Sequence, residues 1–286
     1  MKDPRHYQIA ALALLLVYGM TQLGFDVTPG RAVLIIGAAL LTQWACARLA
    51  RIAFDPRSAL ISALSLCLLL RSNTALLLAV GAIIAVASKF VFRVRGKHVF
   101  NPTDGAIVAL MLLTNRVWVS PGQWGNIAFF AFLTTCLGGL VVNRASRSDV
   151  TYAFILFYCA LMIGRSLWLG EPMTIPLHRL ENGALLLFTF FMISDPRTTP
   201  DARGGRILFA AMAAFGAWYI QFRLFRTNGL LWSLAICSML TPLIDLVLRA
   251  SRYTWTRQLA DASPQLQGEP ACTLDTSTSP SLSFSR

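Results

Sequence analysis

The stretch GKHVFNPTDG, Gly96 to Gly105, sets a lysine, a histidine, an Asn-Pro and an Asp-Gly between two apolar runs. Asn101, Pro102, Thr103, Asp104 and Gly105 have the composition of a helix start, where the dipole favours an acid in the first turn. Lys97 and His98 stand just ahead of it. One reading makes this the mouth of a site; the other is a loop turn, with Asn-Pro ending one element and Thr103 or Asp104 capping the next. Asp245 follows Pro242 inside another apolar run. A carboxylate there could bind a cation or relay a proton, or pair with Arg249 at i+4. Asp55-Pro56-Arg57 and Asp195-Pro196-Arg197 form a repeated motif that could gate an ion path, or simply punctuate helices. Glu181, beside His178 and Arg179, reads as an outer vestibule or an ordinary loop.

Other chemistries find no support. There is no Ser-His-Asp order with supporting motifs and no phosphate loop. The three histidines (His6, His98, His178) are too dispersed for a metal site. The six cysteines include no CxxC, and five lie in apolar runs, where a thiol packs as a small apolar group.

What must position these residues is a membrane. Hydrophobic residues are 56% of the chain and charged ones 13%, against about 25% charged in soluble domains. The net charge of +12 lies in short loops between apolar runs, which fits membrane orientation and not a nucleic-acid partner. The basic start, Met1 to Arg5, runs into an apolar stretch without a small-residue cleavage site, so it reads as a first membrane helix. Long runs fit at 7–25, 31–53, 73–92, 124–143, 149–170, 206–225 and 230–249, and shorter ones at 58–70, 104–114 and 184–194. If all ten cross and the N-terminus is inside, 17 Lys and Arg fall in inner segments and seven in outer ones. That bias puts both termini in the cytoplasm. Most tryptophans, including Trp118, Trp124, Trp168, Trp218, Trp232 and Trp255, fall near span ends as an interfacial belt. The transmembrane domain is thus 1–250, and 251–286, rich in Ser, Thr and Pro, reads as a disordered cytoplasmic tail.

Ten helices divide into repeats over 7–115 and 124–250. The third helix of each half, in RSALISALSLCLLLRSN and ENGALLLFTFFMISDPR, is truncated. NPTDGAIVALMLLTN echoes RTNGLLWSLAICSMLTP at the fifth. Repeats with an odd number of helices insert in opposite orientations, giving an inverted-topology repeat whose broken helices meet near the midplane. Irregular backbone at that depth needs protein or a water-lined cavity to satisfy it. The free N–H groups expected before Ala59, Ala106 and Ala184 would suit anionic groups.

Four segments, DPRSALISALSLCLLLRSN, SKFVFRVRGKHVFNPTDGAIVALMLLT, FFMISDPRTTPDARGGRILF and NGLLWSLAICSMLTPLID, carry a resemblance. In this order they resemble the NqrB/RnfD family, membrane subunits of the sodium-translocating NADH:quinone reductase and of the Rnf electron-transport complex. The resemblance covers about residues 55–250. It implies an all-α, ten-helix inverted-repeat fold similar to urea transporters, in a bacterial inner membrane, within a complex that couples electron flow to ion movement. It further implies redox or flavoprotein partner subunits, and a role in catalysis, if any, as an electron-transferring subunit.

Members of the electron-transport type carry a Ser/Thr-Gly-Ala-Thr motif between helices 5 and 6 that bears covalent FMN. Here that connection, NRVWVSPGQWG, has no Thr. Covalent FMN is therefore not expected, and any flavin, FMN or riboflavin, is held non-covalently or by a partner. Under the resemblance, Lys97 and His98 stand where a phosphate or flavin ring would approach, and Asn101, Pro102, Thr103, Asp104 and Gly105 line the site. Asp55, Asp195 and Asp245 fall to an ion path. The rival reading is a passive channel or transporter for a small solute on the same fold, without redox chemistry.

Overall fold

The computed structural model describes residues 3–120, 128–180 and 182–253. Each of the ten apolar runs holds a helix: α1 (Pro4–Thr21), α2 (Pro29–Leu49), α3 (Pro56–Leu69), α4 (Ala75–Val91), α5 (Pro102–Leu113), α6 (Ala128–Arg144), α7 (Ser148–Leu169), α9 (Gly183–Leu187), α10 (Arg203–Phe222) and α11 (Gly229–Val247). One further helix, α8 (Thr174–Leu180), lies in the connection before α9 and is too short to show an apolar period. Helix α9 runs on as a π-helical turn, Phe188–Met192. The chain is therefore mostly helical, as expected, and α2, α7 and α11 are long and apolar enough to cross a bilayer. Helices α3, α4, α5 and the 183–192 segment are apolar but shorter. From residue 254 onward the tail lies outside the described residues, as do 121–127, with Trp124, and Glu181.

The short helices stop for identifiable reasons. A helix leaves its last carbonyls without donors, which water cannot supply in an apolar setting. At the end of α3 the chain turns extended into β1 (Leu70–Ser72), and the buried Arg71 folds back over the helix end. Its Nη1 donates to the carbonyls of Cys67 (2.9 Å) and Leu70 (3.0 Å), and its Nη2 to that of Leu68 (3.1 Å). Beyond α5, β4 (Val117–Val119) pairs antiparallel with β1, Leu70 facing Val119 and Ser72 facing Val117. The Ser72 hydroxyl donates to the carbonyl of Arg116 at 3.0 Å. The extended tails of the two short helices in the first half thus satisfy each other.

Contacts at helix ends fall into two groups. At one end Arg5 reaches Asp55, Lys89 reaches Ser58, Arg144 stacks on Tyr7, Arg206 pairs with Asp149, and Thr241 donates to the carbonyl of Thr198. At the other, Arg71 lies over Phe25, Tyr158 meets Gln221, Arg165 and Arg179 sit on Phe222, and Asn228 meets Met111. Between them the helices pack through small residues. A Cβ on Gly216 would clash with the Ser233 hydroxyl, which itself donates to the carbonyl of Ala213 at 2.7 Å, locking α11 to α10. The outward faces are apolar stripes at helical spacing, Tyr152, Leu156, Ile163 and Leu167 on α7, and Ile236, Met239, Leu243 and Val247 on α11. Stripes of this kind suit lipid.

Candidate functional site

The polar stretch begins as a hairpin. Strands β2 (Arg93–Val94) and β3 (Lys97–His98) pair antiparallel across a two-residue turn. Arg95 and Gly96 occupy that turn with φ of 51° and 79°. Both central residues at positive φ give the turn whose twist suits a tight hairpin, and glycine takes the second position without strain. The hairpin aims Lys97 at the second half of the chain. Its ammonium lies 2.8 Å from the Asp245 carboxylate, 3.2 Å from Asp201 and 2.7 Å from the carbonyl of Thr199. Asp245 accepts in turn from the backbone N–H of Asp201 at 2.8 Å. Lys97, His98, Thr241, Asp245 and Asp201 line a cavity of about 220 Å³. Burial, with Lys89, Arg197 and Arg93 nearby, pushes the His98 imidazole down to about 3, so the ring is neutral. The i+4 partner expected for Asp245, Arg249, lines the same cavity, but the carboxylate is held by Lys97.

From the hairpin the chain enters α5 through Asn101, whose side-chain oxygen accepts from the N–H groups of Thr103 (3.1 Å) and Asp104 (3.3 Å). Its amide donates to the carbonyl of Met192 at 3.1 Å, where the π-helical turn ends. Thr103 reaches the carbonyl of Ser62 on α3 at 3.5 Å. The start of one short helix is thereby tied to the other two. Pro102 occupies the first turn, where its missing N–H costs nothing, and Gly105 fits closely beside Phe100. Asp104 is fully buried, and neither carboxylate oxygen has a hydrogen-bond partner among the described residues.

The N–H groups expected to await an anion at the short-helix starts are already taken in part. Asp55 accepts from Arg57 at the start of α3, Asn101 does so for α5, and Asn182 accepts from Ala184 for α9. Asp55 also belongs to a cluster with Arg5, Asp3 and Arg57, with contacts of 2.6 to 2.8 Å. The bonds from Arg57 and Arg5 outweigh partial burial and hold the Asp55 carboxyl down to about 2. Asp195 accepts from its neighbour Arg197 N–H at 3.0 Å, and its carbonyl accepts from Thr198 and Thr199. Burial pushes its carboxyl up, against the pull of Lys89, Arg197 and Arg147. The structure thus brings Lys97, His98 and Asp245 together, sets Asn101, Thr103 and Asp104 where short helices meet, and leaves Asp55 in a separate ionic cluster.

Sequence reasoning missed Arg71, Lys89 and Asp201. A lone arginine inside CLLLRSNTALLL was a signal, since a charge in an apolar run needs a partner. Lys89, buried on α4, donates to the carbonyl of Ser58 at 2.7 Å. A second, larger cavity of about 530 Å³ opens at the opposite group of helix ends. Arg179, Arg226, Gln221, Tyr158 and Phe188 are among its walls.

The model of the NQR2, RnfD, RnfE family matches residues 113–254. That interval contains the DPRTT and LTPLID segments and not the two quoted segments of the first half. The D component of the ion-translocating oxidoreductase complex of Escherichia coli (strain K12) is 32% identical over 137 residues, 46% of this chain and 36% of the relative. Its counterpart in Klebsiella pneumoniae (strain 342) is 31% identical over the same length and shares. The matched stretch thus spans about a third of these relatives' length. Over residues 113–254, the chain is thus similar to the NQR2, RnfD, RnfE family.

Proposed function

We propose that the chain is an integral subunit of an ion-coupled, flavin-linked electron-transport complex in a bacterial inner membrane, with both termini cytoplasmic. The observation that carries this reading is the match of residues 113–254 to a family whose relatives are named as subunits of ion-translocating oxidoreductase complexes. Those names support the other subunits of such a complex as its partners. Ten crossings in two inverted five-helix repeats, similar to urea transporters, agree with the two groups of helix-end contacts. They also agree with the 17-to-7 charge bias.

Pockets for small molecules run to about 300–1,000 Å³. The cavity beside Lys97 and His98, at about 220 Å³, falls below that range, and the one at the opposite end, at about 530 Å³, lies within it. A flavin bound without a covalent link would take the larger cavity, where Arg179 and Arg226 would meet a phosphate and Phe188 would give the ring an apolar wall. When bound, such a group supplies one- and two-electron transfer. The chain's part is to bind and orient it. Lys97, Asp201 and Asp245 would line the ion's way in at the other end.

Mild-detergent purification of the tagged full chain from native membranes tests the reading. Redox-active subunits should come with it in fixed proportion, with flavin released on denaturation in acid. A protein that purifies alone and colourless, and carries urea or cations across liposomes without any reductant, would be a solute channel instead.

A further inference from the structure

Asp104 stands apart from every other acid described above. It is 0% exposed, and its two oxygens have no partner among the described residues. The ionisable groups on the elements packed against α5 are accounted for. On α3, Arg57 is held by Asp3 and Asp55, and Cys67 is a buried thiol. On α4, Lys89 is spent on Ser58. On α11, Asp245 is held by Lys97 and Cys237 is buried, and β4 brings only Val117, Trp118 and Val119. Among the described residues, no cation answers Asp104.

An ionised carboxylate without water, donor or counter-charge is costly enough that it takes up a proton instead. A metal ion would need several oxygen ligands converging on it, and the described residues hold no group of three acidic, histidine or cysteine side chains that could supply them.

A second observation supplies a route. Ser238, Thr241 and Asp245 on α11 follow the i, i+3, i+7 spacing of one helix face. Thr241 and Asp245 line the 220 Å³ cavity. Ser238 is 0% exposed and its hydroxyl has no partner among the described residues. Pro242 lacks the N–H that would bond the carbonyl four residues earlier, which is that of Ser238. One residue therefore carries a hydroxyl without a partner among the described residues and a carbonyl that lacks its usual i+4 donor, on a helix packed against α5.

We propose that Asp104 is a proton-binding site, reached from the cavity at Lys97 and Asp245 along the Ser238–Thr241–Asp245 face of α11. The carboxyl gains and loses one proton at a side-chain oxygen, and no other bond changes. The site does not depend on electron transfer as the driving reaction.

Two measurements on the detergent-solubilised full chain test it. Dicyclohexylcarbodiimide, which reacts with protonated buried carboxyls, should label Asp104 in the unmodified protein, as mapped by peptide mass spectrometry, with no protection by added Na⁺. Infrared spectra should show a protonated-carboxyl band that shifts in D₂O and is lost in Asp104→Asn. Ser238→Ala should slow that shift by about tenfold or more. An unlabelled Asp104, or a missing carboxyl band, would mean the acid is ionised and the site is wrong. Protection by Na⁺ would make it a metal-cation site, and an unchanged exchange rate in Ser238→Ala would remove the proposed route.

Discussion

The Lys97 ammonium lies 2.8 Å from the Asp245 carboxylate, 148 residues along the chain. Both side chains are largely shielded, at 17% and 16% exposure. This contact joins the polar stretch of the first half to the last helix of the second. Lys97→Met would leave Asp201 and Asp245 facing each other without a cation. It should destabilise the detergent-solubilised protein by about 2–4 kcal/mol, and Asp245→Asn by less. The double variant should recover part of the loss in a double-mutant cycle read from denaturant unfolding. Additive losses would mean the pair is not coupled.

Arg71 closes three carbonyls at the end of α3. Leaving buried acceptors unpaired costs about 1–3 kcal/mol each. Arg71→Leu should therefore abolish the monodisperse folded species on size-exclusion chromatography. Arg71→Lys should give an intermediate yield, because an ammonium cannot reproduce the planar fork.

Asn101 uses both ends of its amide, accepting from Thr103 and Asp104 and donating to Met192. Asn101→Ala should cost about 1–3 kcal/mol, from the lost cap and the unpaired Met192 carbonyl. Asn101→Asp keeps the cap acceptor and loses the donor. It should fall between the two if the cap dominates, and below Asn101→Ala if the bond to Met192 dominates.

Acid should weaken the fold in two stages. His98 titrates near 3 in the folded chain against an ordinary 6.5. The unfolded chain therefore binds the extra proton, and stability falls as pH drops from about 6.5 toward 3. Asp55, held to about 2 from an ordinary 3.8, contributes stability above 3.8 that is lost as pH falls toward 2. His98→Gln should flatten the first stage of a thermal-stability profile and leave the second in place. An unchanged profile would mean that His98 is not kept neutral.

The helices were legible because apolar runs bounded by Pro, Asp, Asn and Arg show where a chain must satisfy its own backbone. All ten runs hold helices, and the truncation of 58–70, 104–114 and 184–194 corresponds to α3, α5 and the α9–π segment. The helix start at Asn-Pro-Thr-Asp was legible too, but the cap is Asn101, and not Thr103 or Asp104 as the turn reading had it. The pairing of Lys97 with Asp245 was not, because its register depends on a two-residue turn at Arg95 and Gly96 whose positive φ values have no apolar period. Asp201 was hidden in a polar loop, TTPDARGG, where nothing distinguishes it from a solvated acid. The π-helical turn at Phe188–Met192 shares its apolar composition with an α-helix, so only the fold separates them.

Membership of an ion-coupled electron-transport complex stands or falls on reductant-driven ion movement. Inside-out vesicles from native membranes, with and without the gene for this chain, would be energised with a physiological reductant and ion uptake followed alongside electron transfer. Uptake should start with the reductant, collapse without the chain, and return when the full chain is restored. Equal reductant-driven uptake in both sets of vesicles would mean that the chain is no part of such a complex.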